Sequence, residues 1–558
     1  MNETIILERT WLKNYHPEVA KTIQPDQYRS IVQLMEECIE KYKKLPAFSN
    51  MGKMMTYGEL DQLSDAFGAY LQSKGLRAGD RIALMMPNLL QYPVALFGAI
   101  KVGLQIVNTN PLYTPREMLH QFHDSEVKAI LILENFASNL QKILAETKIE
   151  LIITTSIGEM LSPLKGWLTN FVVRKVKKMV PTYQLPNEIK FSTALQAGKR
   201  LSIKKHYGNP DDTMLIQYTG GTTGIAKGAM LTNRNLIANM LQVHEMMKPF
   251  VEPEKEIILC PLPMYHIYAF TVNTLCPMYN GFHSVLITNA RDLSTVVDAF
   301  KKYRITMMTG VNTLYNALLN NEAFAKLDIR HLKIASAGGM ALQDAVADRW
   351  EAMTGTFISQ GYGLTETAPV ASTNSYDETC RKGTIGYPIP STDMRIVDDN
   401  GKPLGVNEIG EVQIKGPQVM KGYLNRPEET DKVLTPDGWF STGDIGVMDE
   451  DGFFKIVDRK KDMILVSGFN VFPNEVEEVL VGHPKIMEAA VIGMADEKSG
   501  EVVKAFIVKK DASLTKEEII AYCKENLTGY KVPKFIEFRE ELPKSNVGKI
   551  LRKELRNV

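Results

Sequence analysis

Eleven consecutive residues hold the densest chemistry in the chain: Tyr218-Thr219-Gly220-Gly221-Thr222-Thr223-Gly224-Ile225-Ala226-Lys227-Gly228. Glycines let an anion approach the backbone, and threonine hydroxyls and Lys227 add donors. The apolar run 214–218 before the loop reads as a buried strand, and Asn235, Leu236, Ile237, Met240 and Leu241 after it have helical spacing. Strand, glycine-rich loop and helix together form a phosphate holder. The Walker spacing G-x-x-x-x-G-K-[ST] is absent, because Ile225 and Ala226 separate Gly224 from Lys227 and no hydroxyl residue follows that lysine. Taken alone, the stretch fits a phosphate cradle and a flexible surface loop equally.

These residues need a scaffold. Strand-like runs at 81–86, 129–133, 151–155, 256–260, 284–287, 307–311 and 333–339 alternate with helical spacing, which predicts α/β architecture with parallel sheets. The last run ends in Gly338-Gly339, where backbone could approach a flat ligand. Ile31, Leu34, Met35, Cys38 and Ile39 predict an amphipathic helix, and Thr56 with Glu59 predicts a capping box. From about 380, Asn400-Gly401, Asp437-Gly438 and Asp451-Gly452 predict hairpins in a small β-rich part, 380–457. The charged run Asp458-Arg459-Lys460-Lys461-Asp462 reads as an exposed linker. Beyond it, a helix at 474–480, strands at 488–492 and 502–508, and a helix capped by Thr515 predict a small α+β domain. The division expected is an N-terminal domain of α/β subdomains, 1–457, and a C-terminal α+β domain, 458–558.

A chain of 558 residues has room for several such units. Lys plus Arg (65) balance Asp plus Glu (65), so no global pull toward nucleic acid is expected. The five cysteines are scattered and never in CxxC spacing, which argues against a disulfide framework or zinc site and for a reducing, cytoplasmic setting. The first residues show no basic segment followed by an apolar one, so no signal peptide is expected. The apolar region 82–107 is interrupted by Pro87, Asn88, Gln91, Pro93, Lys101 and Gln105, which predicts buried core rather than a membrane span. In 161–187, Leu164, Trp167, Leu168, Phe171, Val172 and Val176 interleave with Lys165, Arg174, Lys175, Lys177 and Lys178, without an acidic residue. Such a segment can lie on an anionic membrane surface, or pack half-buried on the body, the commoner case.

Five motifs occur in order: the 218–228 loop, Gln360-Gly-Tyr-Gly-Leu-Thr-Glu-Thr367, Ser441-Thr-Gly-Asp444, Val457-Asp-Arg-Lys-Lys-Asp462 and Pro543-Lys-Ser-Asn-Val-Gly-Lys549. The ordered set resembles the adenylate-forming superfamily of acyl-CoA synthetases, adenylation domains and luciferases, over nearly the whole chain. Within it, 262–268, 310–319 and the basic 161–187 segment are most similar to bacterial long-chain fatty-acyl-CoA synthetases.

The resemblance implies a two-step ligase: a fatty-acid carboxylate attacks the α-phosphorus of ATP, pyrophosphate leaves, and the CoA thiol displaces AMP. It implies that Thr219, Gly220, Gly221, Thr222, Thr223 and Lys227 hold the β- and γ-phosphates. Thr365 would contact the α-phosphate and Glu366 would bind Mg²⁺. Gln360, Gly361 and Tyr362, facing Gly338 and Gly339, would hold adenine. Asp444 and Arg459 would take the ribose. Lys549, with Lys461 nearby, would stabilise charge at the phosphorus. His266 and Tyr268 would lie near the carboxylate or the acyl tunnel, and Gly468 beside the pantetheine arm of CoA. Asp458 would be the hinge about which a mobile C-terminal domain exchanges Lys549 for Gly468. Asn546-Val547 departs mildly from the family pattern. The resemblance leaves a homodimer, and peripheral contact of 161–187 with the inner face of the membrane, open. Alternatives within the class are ligases acting on other acids or on an acyl-carrier protein; outside it, a catalytically silent lipid-binding scaffold.

Overall fold

The computed structural model describes residues 9–219, 226–496, 498–545 and 548–556. Two large sheets sandwich a layer of helices. In the first, Thr213–Thr219, Gln105–Asn108, Arg81–Met85, Ala129–Leu133 and Leu151–Thr155 are successive parallel neighbours. In the second, Ile358–Gly363, Ile334–Ala337, Met307–Gly310, Ile257–Cys260, His283–Leu286 and Pro46–Asn50 are. Parallel strands covered on both faces read as plain apolar runs, which is why they were visible in the sequence. Helices Tyr57–Ser73, Gln91–Lys101 and Asn233–Met247 share one apolar core with both sheets. Gln91–Lys101 is buried along every residue. Its one cation, Lys101, meets Asp61 at 2.6 Å and Asp65 at 2.5 Å. No described helix is long and apolar enough to cross a membrane. Thr56 and Glu59 form the expected capping box.

The glycine-rich loop departs from the expected strand, loop and helix. Lys227–Thr232 is a second strand, antiparallel to Thr213–Thr219, with Thr219 opposite Lys227 and Tyr218 opposite Gly228. The helix Asn233–Met247 starts only after it, capped by Thr232. Cross-strand packing explains the strand: Gly228 lies against Ile216 and the Tyr218 ring, where a Cβ would come within 2.8 and 3.1 Å. An anion at this loop would therefore meet a hairpin end, not a helix N-terminus.

A third, antiparallel sheet holds Asp393–Val397, Gly410–Lys415, Phe440–Met448 and Phe454–Arg459. Two short strands of the same region leave it. Tyr387–Pro388 joins the second large sheet, and Gly422–Tyr423 pairs with Lys227–Thr232 in the first. The fourth sheet, with Ile464–Val466, Ile486–Asp496, Gly500–Lys509 and Phe535–Arg539, has its own core with helices Pro473–Val481 and Lys516–Asn526. Thr515 caps the latter by accepting from the Glu518 amide.

Two expectations change. The run 458–462 is not simply exposed: Asp458 and Asp462 are buried. Asp458 accepts from the amides of Arg459 (2.7 Å) and Asn474 (2.8 Å) and lies 3.4 Å from Arg552 Nη1; Asp462 pairs with Arg556 at 2.7 Å. Arginines near the far end of the chain compensate the two carboxylates, and local sequence does not show them. The segment 161–187 is helix Pro163–Phe171 followed by a wider helical turn, Val172–Val176, in which only Gly166 and Val173 are buried. The helix does pack on the body, the commoner reading, but through Gly166, Asn170 and Arg174 rather than through its apolar face. Leu164 is 79% and Trp167 64% exposed, and Trp167 stacks on exposed Phe171 with ring centroids 5.6 Å apart. Gly166 seats the helix against Gly158, and a Cβ on either would overlap the other's carbonyl oxygen.

Candidate functional site

A cavity of about 1450 Å³ opens where the four sheets meet. Its floor comes from strand ends. Ile358–Gly363 carries Gln360, Gly361 and Tyr362 to the rim, and Ile334–Ala337 delivers Gly338 and Gly339 beside them. Gly339 has φ +81°, and a Cβ on Gly338 would sit 3.2 Å from the Tyr268 ring, so glycine keeps the ledge flat. Asp444 and Arg459 are register partners on adjacent antiparallel strands, Nε to Oδ1 3.4 Å. The Tyr362 hydroxyl donates to Asp444 Oδ2 at 2.7 Å. Pairing thus brings an aromatic ring, a buried carboxylate and a guanidinium to one corner.

At the next turn of chain, Thr365–Thr367 forms a single helical turn. Gly363 allows it, since a Cβ there would overlap the Pro369 carbonyl. Glu366 is buried, which pushes its pKa up, and its Oε1 accepts from the Tyr423 hydroxyl at 2.7 Å. Thr219 and Lys227 stand at the hairpin end and line the same cavity. Gly220, Gly221, Thr222 and Thr223 lie outside the described residues.

His266 and Tyr268 line the wall. His266 Nδ1 accepts from the Tyr268 amide at 3.4 Å, and the Tyr268 hydroxyl is 3.2 Å from Ser336 Oγ. Burial, then the nearby positive charge of Lys549, depresses the His266 pKa to about 4, so the imidazole is neutral near pH 7.

The small C-terminal unit inserts Lys549. A tight turn holds it: Ser545 N donates to Lys549 O at 2.7 Å and Lys549 N to Ser545 Oγ at 3.1 Å. Burial and then Arg459, with Arg552 and Lys461 adding to them, push the Lys549 pKa down to about 7. Lys461, exposed at the rim, is also held below its ordinary value, by partial desolvation of its ammonium and then by Arg459. Arg459, Arg552 and Lys461 act on Lys549 as like charges and Asp444 opposes them; a lysine so perturbed inside a cavity marks a candidate binding site. Gly468, at φ +86°, is exposed and lines no part of this cavity. The structure therefore brings the phosphate-side, adenosine-side and lysine candidates together and leaves Gly468 outside.

Three residues with contacts here escaped the sequence reading. Tyr423 bonds Glu366 and lies under Lys227, Nζ 4.9 Å from the ring centroid. Glu429 Oε2 is 2.6 Å from Lys227 Nζ. Arg552 binds Glu477 at 2.8 Å as well as Asp458. Only the Gly422–Tyr423 pairing, invisible without the fold, could have pointed to the first two.

Residues 35–424 match the family model described as AMP-binding enzyme, and residues 475–549 the model for the AMP-binding enzyme C-terminal domain. The chain is 53% identical to a long-chain-fatty-acid–CoA ligase of Yersinia pestis, covering 99% of this chain and 98% of that one. It is 36% identical to a long-chain-fatty-acid–CoA ligase of Bacillus subtilis, over 98% of each. The crystal structure of ATP-bound MatB from Rhodopseudomonas palustris superposes with a TM-score of 0.81 at 26% identity, covering 94% of this chain and 98% of that one.

Proposed function

From a chain that belongs to the AMP-binding enzyme family, we infer an ATP-dependent long-chain fatty acid–CoA ligase working through acyl-AMP. The observation that supports the mechanism is that Lys227, Thr365, Tyr362, Asp444, Arg459 and Lys549 line one cavity, with Arg459 and Lys461 close enough to depress the Lys549 pKa.

Tyr362 and Asp444 place adenosine, and Thr219 and Lys227 take the β- and γ-phosphates. That leaves the α-phosphorus beside Thr365 and Lys549. Neutral His266 can orient the fatty-acid carboxylate without competing as a cation. Attack forms the carboxylate–phosphorus bond and breaks the bond to pyrophosphate; positive charge from Lys549 stabilises the crowded transition state. Among the described residues no group of three or more acidic, His or Cys side chains could cage a metal. One buried carboxylate, Glu366, nevertheless fits Mg²⁺, which is commonly held by one or two carboxylates plus phosphates. Bound there, it would neutralise phosphate charge.

The deciding assay offers ATP, CoA and a ladder of fatty acids. AMP, pyrophosphate and acyl-CoA are expected, strongest with long chains. ADP as product, or preference for short, aryl or amino acids, would overturn the reading.

Lys549 must be charged to act, and its free-enzyme pKa is about 7. kcat/KM for ATP in pyrophosphate exchange should therefore decline as pH rises through about 7. Bound phosphates favour the ammonium, so the limb in kcat should lie higher. Lys549→Arg, charged throughout, should lose the limb; a limb that persists in its residual activity belongs to another group.

The exposed helix Pro163–Phe171 supports contact with an anionic bilayer from the cytoplasmic side. Trp167 and Phe171 offer an apolar face, and Lys175, Lys177 and Lys178 follow it in sequence, beyond Arg174, which is paired with Glu134. Of four tryptophans only Trp167 is exposed. Anionic vesicles should shift the emission to the blue and carry the protein in flotation. Replacing Lys175, Lys177 and Lys178 by Ser should abolish both, and unchanged flotation would leave the helix as plain surface.

A further inference from the structure

Lys227, the lysine read above as a phosphate ligand, already holds an anion. Its Nζ is 2.6 Å from Glu429 Oε2, while Glu429 Oε1 holds Lys432 at 2.6 Å. The contact is built rather than incidental. Glu429 lies in the short helix Pro427–Asp431, directly after the strand Gly422–Tyr423. That strand pairs with Lys227–Thr232, Tyr423 opposite Ala229. Thr430 ties the helix back, its Oγ1 accepting from the Tyr423 amide at 2.9 Å. Backbone pairing therefore fixes Glu429 next to Lys227, and the Tyr423 ring beneath Lys227 limits where the ammonium can go. Both members are about one-third exposed, so a ligand in the cavity can reach and exchange the pair.

We propose that Glu429 is an exchangeable counter-ion for Lys227, which yields the lysine to the ATP phosphates and takes it back to expel pyrophosphate. Glu429 is a positioning residue: it touches no substrate and acts through Lys227. A strong phosphate grip aids ATP binding but retards release of the leaving pyrophosphate. A tethered carboxylate at hydrogen-bond distance lowers the net gain from either phosphate ligand and shortens the stay of the product. Lys432 holds the other oxygen, so Glu429 is not stranded when Lys227 leaves. The proposal rests on Lys227 being a phosphate ligand.

The test is product inhibition by pyrophosphate against ATP, with the full-length enzyme. Glu429→Gln keeps the shape and removes the charge. It should lower the pyrophosphate inhibition constant and the KM for ATP by about two- to tenfold, the range expected for a part-exposed ion pair. Single-turnover acyl-AMP formation at saturating ATP should not change. The neighbouring Glu428→Gln should change neither constant. In a Lys227→Met background, Glu429→Gln should have no further effect. A wild-type inhibition constant in Glu429→Gln, or an equal drop with and without Lys227, overturns the counter-ion role. Lys227→Met that leaves both constants at wild-type values overturns the phosphate-ligand reading itself, so the two failures are distinguishable.

Discussion

Lys549→Ala should cut acyl-adenylate formation by about a hundred- to a thousandfold, the loss expected for one group stabilising transition-state charge, and should leave CoA attack on supplied acyl-AMP near the wild-type rate. The split follows from which groups reach the cavity. Lys549 does, on the turn closed by Ser545, and Gly548 docks that turn on the main body, its carbonyl accepting from Thr313 Oγ1 at 3.4 Å. Gly548 has φ +77°, and a Cβ there would come 2.6 Å from Thr313 Oγ1. Gly468 does not reach it. The proposed division of labour assigns this placement of the C-terminal unit to the first half-reaction and another placement to the second. The turn is held by backbone and Ser545, not by the lysine side chain, so the alanine variant should keep its fold. Pyrophosphate exchange and thioester formation from synthetic acyl-AMP are measured separately. Equal loss in both would sink the division of labour.

Asp458→Pro should trap the enzyme between the half-reactions. Acyl-AMP and pyrophosphate should form, while acyl-CoA production falls about a hundredfold or more, as misplacement of a reacting centre commonly costs. Proline fixes φ near −65° and removes an amide, so a pivot at this residue would stop turning. The structure adds a complication. Asp458 is buried and its carboxylate holds the Arg459 and Asn474 amides and faces Arg552. Proline would delete those bonds as well as the freedom. Asp458→Ala separates the effects, because it removes the carboxylate and leaves φ free. Arg552 retains Glu477 at 2.8 Å and Asp462 at 3.6 Å, so its charge stays compensated. The alanine variant should slow both steps by less than about tenfold, well short of the cost of stranding a buried charge. If it matches the proline variant, the carboxylate matters and the hinge does not.

Much of this was legible in the sequence where the signal is local. Buried parallel strands such as Ala129–Leu133 announce themselves as apolar runs. Thr56 with Glu59 and Thr515 with Glu518 mark helix starts within four residues. The motif residues that line the cavity share short segments whose order alone suggested the family. What could not be read depends on partners distant in sequence. Lys-Gly-Ala-Met-Leu-Thr has no strand alternation, and becomes a strand because Ile216 and Tyr218 pack over Gly228. A run of five charged residues looks solvated until Arg552 and Arg556 arrive to bury two of them. Glu429 has no meaning until a two-residue strand carries it to Lys227. The helix Pro163–Phe171 shows the converse: its pattern is that of an amphipathic helix packed by its apolar face, yet among the described residues Leu164, Trp167, Leu168 and Phe171 stay exposed.

Asp444 and Arg459 face each other across two strands, and Asp458 is the residue immediately before Arg459. The proposed ribose-binding pair and the proposed hinge are therefore one piece of backbone. For inhibitor design this means that a compound clamping the Asp444–Arg459 pair need not fill the acyl tunnel or imitate the phosphates. If Asp458 is the pivot, stiffening the strand end should jam it, with a potency insensitive to the length of the fatty acid.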